Sequence, residues 1–376
     1  MKRSVGFTLG CALLVVLAFS FAPKAINKMP DFEVYWTAAV RARAGEALYR
    51  SEDGHYQFKY LPAFAVLAIP VGLVPLETAK TLWFAGSIAL LGVAIALSIA
   101  LLPHQVKPRW LLAAIVVLAM GKFYGHELVL GQVNLLFTVV VLLALHSVTA
   151  GREPLAGLLF AVAVVVKPYA LLFGPWLVAR RRFPAIAAFL VALLAVLALP
   201  VLFYGAGGTV ALHLDWWHTV AESTAPNLTN ADNVSIAGMY SKWFGDTTLV
   251  RLLVIATSLL LLAAAAFAFV RGRGLRQPHV LEGALLLTLV PLLSPQGWDY
   301  VFLVSTPAIA LLANYEERLP PPLRVLSAAA ILIVGLSLYD VMGRANYAMF
   351  MSMSIITICF LIIVSALTVL RLRGVA

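Results

Sequence analysis

Acidic residues are scarce in this chain: 17 Asp and Glu among 376 residues, against 27 Lys and Arg. Charged residues of both signs amount to 12%, about half of what a soluble domain carries. That poverty excludes an ordinary soluble fold and makes each remaining carboxylate a residue to explain. Cysteine is nearly absent as well. Only Cys11 and Cys359 occur, both inside apolar runs, which argues against a disulfide framework and a cysteine-built zinc site. There is no Walker loop, no Gly-rich dinucleotide fingerprint, no His-Glu-x-x-His and no nucleophile elbow, so no soluble nucleotide-binding site is supported.

What fills the chain instead is apolar: 62% of residues are hydrophobic. A span needs about 20 apolar residues, and the pattern predicts an all-α polytopic membrane protein that forms one integral unit over 1–376. Twelve transmembrane helices are expected, over 4–22, 81–102, 110–122, 128–147, 154–166, 169–179, 183–204, 249–270, 279–293, 301–314, 323–340 and 347–370. The stretch 61–76 is apolar but short, and Pro62, Pro70 and Pro75 interrupt it. It reads as re-entrant or interfacial, not as a crossing. The segment 4–22 follows Met1-Lys2-Arg3 as a signal peptide would, but runs into Pro23-Lys24 with no small-x-small site, and is expected to stay as an anchor.

With the N-terminus inside, the short inner loops hold most of the basic residues, among them Lys107, Arg109, Arg152 and Arg180-Arg181-Arg182. The positive-inside rule thus accounts for the net charge of +10 without a nucleic-acid partner. The expectation is a multi-pass protein of a bacterial inner membrane with both termini cytoplasmic. Two long outer loops, 23–60 and 205–248, each hold a stretch with amphipathic helical spacing. In the first, Phe32, Trp36, Ala39 and Val40 share a face; in the second, Val210, Leu214, Trp217 and Ala221 do.

The polar groups that could carry chemistry fall on the outer side. Asp31 and Glu33 stand in Pro30-Asp31-Phe32-Glu33, just after the first apolar run. Asp31 is suited both to capping a helix and to acting as a base. Lys167-Pro168 interrupts an apolar hairpin whose first arm rises only about 20 Å, short of the hydrocarbon thickness. A lysine there marks a water-filled cavity or an anion, or else snorkels to the interface. Gln132 and Asn134 open the fourth span in Gly131-Gln132-Val133-Asn134, with Lys122, His126 and Glu127 close by in the sequence. Amides of this kind bind hydroxyl-rich ligands or join helices. Trp298, Asp299 and Tyr300 close the turn 294–300, and Asn227, Asn230, Asn233 and Ser235 lie in the second long loop. Nucleotide donors are cytoplasmic, so an enzyme with its site on the outer face needs a lipid-linked donor. The competing reading is a transporter or flippase for a lipid-linked or anionic substrate; it would place ionisable groups near the midplane, where Lys167 alone is a candidate.

Several strings together resemble glycosyltransferase family 87. They are Asp31-Phe32-Glu33-Val34-Tyr35-Trp36, Gly45-x-x-Leu48-Tyr49, Phe58-x-Tyr60-x-Pro62, Gly131-Gln132-Val133-Asn134, Lys167-Pro168-Tyr169 and Ser294-Pro295 through Trp298. The resemblance implies a GT-C fold and an inverting mannosyltransferase that uses a polyprenyl-phosphate sugar on the outer face, with a glycolipid or glycan as acceptor. It implies a catalytic module over 1–204, the second outer loop over 205–248 and C-terminal helices over 249–376. Asp31 would be the general base, with Glu33 beside it. Lys167, Lys59 and Arg41 would meet the donor phosphate. Tyr35, Tyr60, Gln132, Asn134, His126, Asn233, Trp298 and Asp299 are the candidates for sugar and acceptor binding. The sequence specifies no cofactor, and Asp31-x-Glu33 leaves a divalent cation open, since it offers oxygen ligands.

The reading of 61–76 has a direct test. Single cysteines placed near Glu77 should react with an impermeant reagent from the same side of the membrane as one at Gly54. Labelling of the two from opposite sides would overturn the expected topology of the first half.

Overall fold

The computed structural model describes residues 21–271 and 278–374. Most of the expected first span therefore lies outside the described residues, as do Cys11 and the basic residues at 273 and 276. All named elements are helical, and a lone antiparallel bridge joins Asn233 to Trp298 among the described residues. The α-helices are α1 (Pro30–Ala44), α2 (Pro62–Leu67), α3 (Leu76–Ala100), α4 (Arg109–Leu130), α5 (Asn134–Thr149), α6 (Glu153–Val166), α7 (Phe173–Ala179), α8 (Phe183–Leu197), α9 (Val201–Thr224), α10 (Ile236–Phe244), α11 (Thr248–Arg271), α12 (His279–Leu293), α13 (Thr306–Tyr315), α14 (Pro321–Leu336), α15 (Tyr339–Met342), α16 (Arg344–Ser352) and α17 (Ile355–Leu372).

Among the described residues, four helices are long and apolar enough to cross a membrane: α3, α4, α11 and α17. A fifth candidate is the pair α8 and α9, which bends by 94°. The other apolar helices are shorter. Several expected spans are thus interrupted, for local reasons. Pro200 stands between α8 and α9, and proline cannot continue a helix without losing a backbone bond. The span expected over 301–314 starts as a 3-10 turn at Asp299–Ser305 before α13. The span expected over 347–370 breaks at Ser354, whose φ is 55°. The third expected span does not stop at Lys122. Helix α4 runs on to Leu130, so that Lys122, His126 and Glu127 are helical, and Gly131 ends it in the left-handed conformation. The stretch 61–76 holds only α2 and a 3-10 turn at Val71–Leu73. Six residues of α-helix rise about 9 Å, far less than a crossing.

Helix α12 is buried on every side along its length, as an all-apolar helix at the centre of a bundle should be. Helix α11 is the opposite case: its apolar side chains Leu252, Ile255, Leu259 and Leu260 stay exposed, which suits a lipid-facing surface. In α9 the residues Val210, Leu214 and Trp217 are exposed while Leu212 and Thr219 are buried. The apolar stripe seen in the sequence therefore faces away from the protein, as in a helix lying in the membrane interface. Helix α1 behaves otherwise. It buries Phe32, Tyr35, Ala38, Ala39 and Ala42, so its inner face meets the protein core, and Val40 is left outside.

At the end of α12 remote from Trp298, the buried carboxylate of Glu282 gathers three chain segments. Its Oε2 accepts from Trp176 Nε1 at 2.8 Å and from Arg180 Nε at 2.9 Å; its Oε1 accepts from Arg371 Nε at 2.8 Å. Removing one partner of a buried ion pair leaves a charge with no compensation. Glu282→Gln should cost about 3–5 kcal/mol of stability, read as a fall in thermal midpoint in detergent. Glu46→Gln, in the exposed pair with Arg50, should barely move it.

Candidate active site

The site is built where three remote segments meet. Pro30 opens α1, and the helix leaves Met29 with φ 35°. Met29 N donates to the carbonyl of Val129 at 3.0 Å, which pins the start of α1 to the end of α4. Gly131 makes that approach feasible: a Cβ there would lie 2.7 Å from Phe32 Cβ, closer than van der Waals contact allows. The turn then presents Gln132 to Asp31. Asp31 makes no capping bond, so its alternative role as an N-cap is not realised. The helix instead starts on proline, which needs no N–H partner at that position.

Gln132 is the hub. Its Nε2 donates to Asp31 Oδ2 at 2.7 Å and lies 3.3 Å from the Tyr300 hydroxyl. Its Oε1 accepts from Tyr35 at 3.0 Å and from Tyr60 at 3.2 Å, and the two tyrosine hydroxyls lie 2.7 Å apart. Two hydroxyl donors on Oε1 determine which way the amide points, and so turn its N–H toward the carboxylate. Among the described residues Asp31 Oδ1 has no hydrogen bond. Asp31 lies outside the spanning helices, and burial raises its pKa above the ordinary 3.8, opposed by the Gln132 hydrogen bond and by the charges of Lys167, His55 and Lys59. Burial also lowers Lys59, which the Asp31 carboxylate holds up.

These groups line a cavity of about 570 Å³, within the usual range for a small-molecule site. Asp31, Tyr35, Lys59, Tyr60, Gln132, Lys167 and Trp298 all reach it. Lys167 ends α6 with extended φ of −149°. Its ammonium lies 5.7 Å from the ring centre of Tyr60 and 5.9 Å from that of Tyr169. It makes no ion pair or hydrogen bond among the described residues, although only 8% of the residue is exposed.

Other expected site residues lie elsewhere. Glu33 faces away from Asp31 and pairs with Lys80 at 2.6 Å. The two carboxylates therefore do not converge on a cation, and no cluster of three His, Cys, Asp or Glu suited to a metal occurs among the described residues. Arg41 is held by Asp53 at 2.5 and 2.8 Å. Asn134 donates to the buried Glu127 at 2.7 Å. Asn233 donates to the carbonyls of Asn227 and Pro295, each at 2.9 Å, and so ties the second long loop to the turn before Trp298. Asp299 is buried against Lys122 at 3.0 Å and His126 at 3.2 Å, which rules it out as the ion-pair partner of Lys167. Asp299 and Tyr300 adjoin in a 3-10 turn, yet only Tyr300 reaches the cavity. Tyr169, Asp232, Trp216 and Gln296, which the sequence reading did not name as site residues, also line it. The pairing of polar with aromatic residues in 294–300 was the available signal for the last of these.

The family model for glycosyltransferase family 87 matches residues 58–295. This chain belongs to glycosyltransferase family 87. It is also 28% identical over 324 residues to a polyprenol-phosphate-mannose-dependent alpha-(1-2)-phosphatidylinositol pentamannoside mannosyltransferase of Mycobacterium tuberculosis (strain CDC 1551 / Oshkosh), covering 82% of this chain and 72% of that one. No solved structure matches it. The protein is therefore a glycosyltransferase, with helices long and apolar enough to cross a membrane.

The hydrogen bond from Gln132 has a measurable consequence in this glycosyltransferase. Followed by infrared titration, the Asp31 carboxyl should protonate above its ordinary value of 3.8. A donor to the carboxylate favours the charged form, so Gln132→Leu should move the transition to still higher pH. An unchanged titration in Gln132→Leu would show that the amide does not bear on the Asp31 carboxyl.

Proposed function

We propose that the enzyme transfers a hexose, mannose by likeness to its relative, from a polyprenyl-phosphate donor to a glycolipid or glycan acceptor, with inversion. The site would face the outer side of the membrane, both termini being cytoplasmic, and the shorter apolar helices would each count as a crossing to make about twelve. The charge bias of the loops supports that orientation. One observation carries the chemical reading: a carboxylate with an unbonded oxygen and a lysine that makes no ion pair among the described residues line the same cavity. The family match begins after Asp31, so the role of Asp31 rests on this geometry and on the motif around it.

In this reading Asp31 Oδ1 takes the proton from an acceptor hydroxyl as that oxygen attacks the anomeric carbon. The bond from that carbon to the phosphate oxygen breaks, and the lipid phosphate leaves with the electron pair. A single displacement of this kind inverts the configuration. The charge that builds on the phosphate falls to Lys167, with Lys59 nearby. A preorganised cation in a site sheltered from water stabilises such charge more than it would in bulk solvent. Tyr35, Tyr60 and Tyr300 would then hold Gln132, and through it Asp31, while Trp298 and Trp216 offer flat faces to the sugars.

Transfer of labelled mannose from polyprenyl-phosphate mannose tests both roles. Asp31→Asn keeps size and polarity but cannot accept a proton, and should lose at least about a hundredfold in kcat. Lys167→Met should raise KM for the donor and lower kcat without lowering the thermal midpoint. Near wild-type turnover in Asp31→Asn would remove the base assignment. A fall in stability without a kinetic defect in Lys167→Met would make the lysine structural.

A further inference from the structure

Helix α1 borders two cavities. Asp31 and Tyr35 face the larger one only, while Pro30 and Val34 line both, and Glu33, Thr37 and Arg41 face a second cavity of about 290 Å³. Glu33, Thr37 and Arg41 are spaced i, i+4 and i+8, which sets them along one side of a helix. Opposite them the segment Ser51–Tyr56 supplies Asp53 and Tyr56. Gly54, with φ 57° and ψ −123°, turns this segment so that His55 lines only the larger cavity while Tyr56 lines both. The two cavities therefore adjoin along Pro30, Val34 and Tyr56, one residue away from Asp31.

The chemistry of the smaller cavity narrows what fits. Arg41 and Asp53 satisfy each other through two hydrogen bonds at 2.5 and 2.8 Å. Glu33 is neutralised by Lys80 at 2.6 Å. No cation is left over for a phosphate. Four polar side chains make the cavity equally unsuited to a lipid chain. The Thr37 hydroxyl has no partner among the described residues, and the paired carboxylates retain free lone pairs that accept from hydroxyls. Tyr56 is half exposed, at 54%, and beside these acceptors its ring offers an apolar face. A neutral, polyhydroxylated unit matches that combination, and the volume suits a single hexose at the small end of ligand sites.

We propose that this second cavity is a subsite for the penultimate sugar of the acceptor, so that the natural acceptor is a glycan of at least two hexose units. The proposal rests on Asp31 being the base: the terminal acceptor sugar then sits beside Asp31, and the next sugar reaches across Val34 and Tyr56. Lys167 lines only the larger cavity, which leaves the donor on the other side of the reacting hydroxyl. Glu33 and Arg41, singled out by the sequence and absent from the catalytic cavity, thereby acquire a role in choosing the acceptor.

The test is binding, measured by calorimetry on the full-length protein in nanodiscs, with octyl mannoside and octyl dimannoside as probes. The wild type should bind the dimannoside about tenfold more tightly, a difference of about 1.4 kcal/mol. Thr37→Leu, which fills the cavity, should bring the ratio of the two affinities near one. Thr37→Val, which removes only the hydroxyl, should reduce the ratio part of the way, and covers the case in which the larger side chain disturbs folding. Equal affinities in the wild type, or a ratio that survives in both variants, would overturn the subsite. The transfer assay is separate: failure to use polyprenyl-phosphate mannose would count against the proposed reaction and leave the affinity ratio as the measure of the subsite.

Discussion

A polar group inside an apolar bundle must find a partner or a ligand, because burying it alone costs several kcal/mol. With so few acids in the chain, that requirement organises the interior. Glu282 meets Trp176, Arg180 and Arg371, and so draws α7, α12 and α17 together at one end. Glu127 meets Asn134 and the backbone N–H of Leu135 at 2.9 Å, where a negative charge also suits the start of α5. Asp299 meets Lys122 and His126. Each of these carboxylates is paired inside the protein. Asp31 keeps one carboxylate oxygen without a partner among the described residues, the ammonium of Lys167 makes no ion pair there, and both line the cavity of about 570 Å³. Those are the two groups that the proposed substrates would engage.

The precision of the site comes from backbone contacts more than from the reactive groups. Three features hold Gln132 against Asp31: the bond from Met29 to Val129, the space above Gly131 and the proline start of α1. The tyrosines then decide the direction of the amide. Such an arrangement places a carboxylate on a rigid helix with its second layer already assembled, which is how a catalytic geometry is kept to within fractions of an ångström. The same helix turns Glu33, Thr37 and Arg41 toward a separate cavity, so a single element can serve both the reaction and the choice of acceptor.

Helical character and membrane class were readable because both follow from composition and periodicity, which are summed over many residues. The lengths of the individual helices were not. The breaks at Pro200 and at Ser354, and the run of α4 through His126 and Glu127 to Gly131, depend on single residues whose effect is decided by what packs beside them. Within the site, Asp31, Lys59, Tyr60, Gln132, Lys167 and Trp298 were named from their surroundings in the chain, and all reach the same cavity. Asn233 and Asp299 came from motifs of the same kind, yet each is held by neighbours that lie far away in the sequence.

The sequence by itself determined that this is an apolar, helical protein with its candidate polar groups in a few short strings, and it placed the acid and the lysine among them. Only the tertiary structure decided which of those groups are free. Whether a carboxylate faces Lys80, Lys122 or an open cavity depends on side-chain direction and on contacts across the bundle. Asp31 and Glu33 are two residues apart, and on a helix that separation sends them to different faces. One of them turned toward Gln132 and the cavity it shares with Lys167, the other toward Lys80.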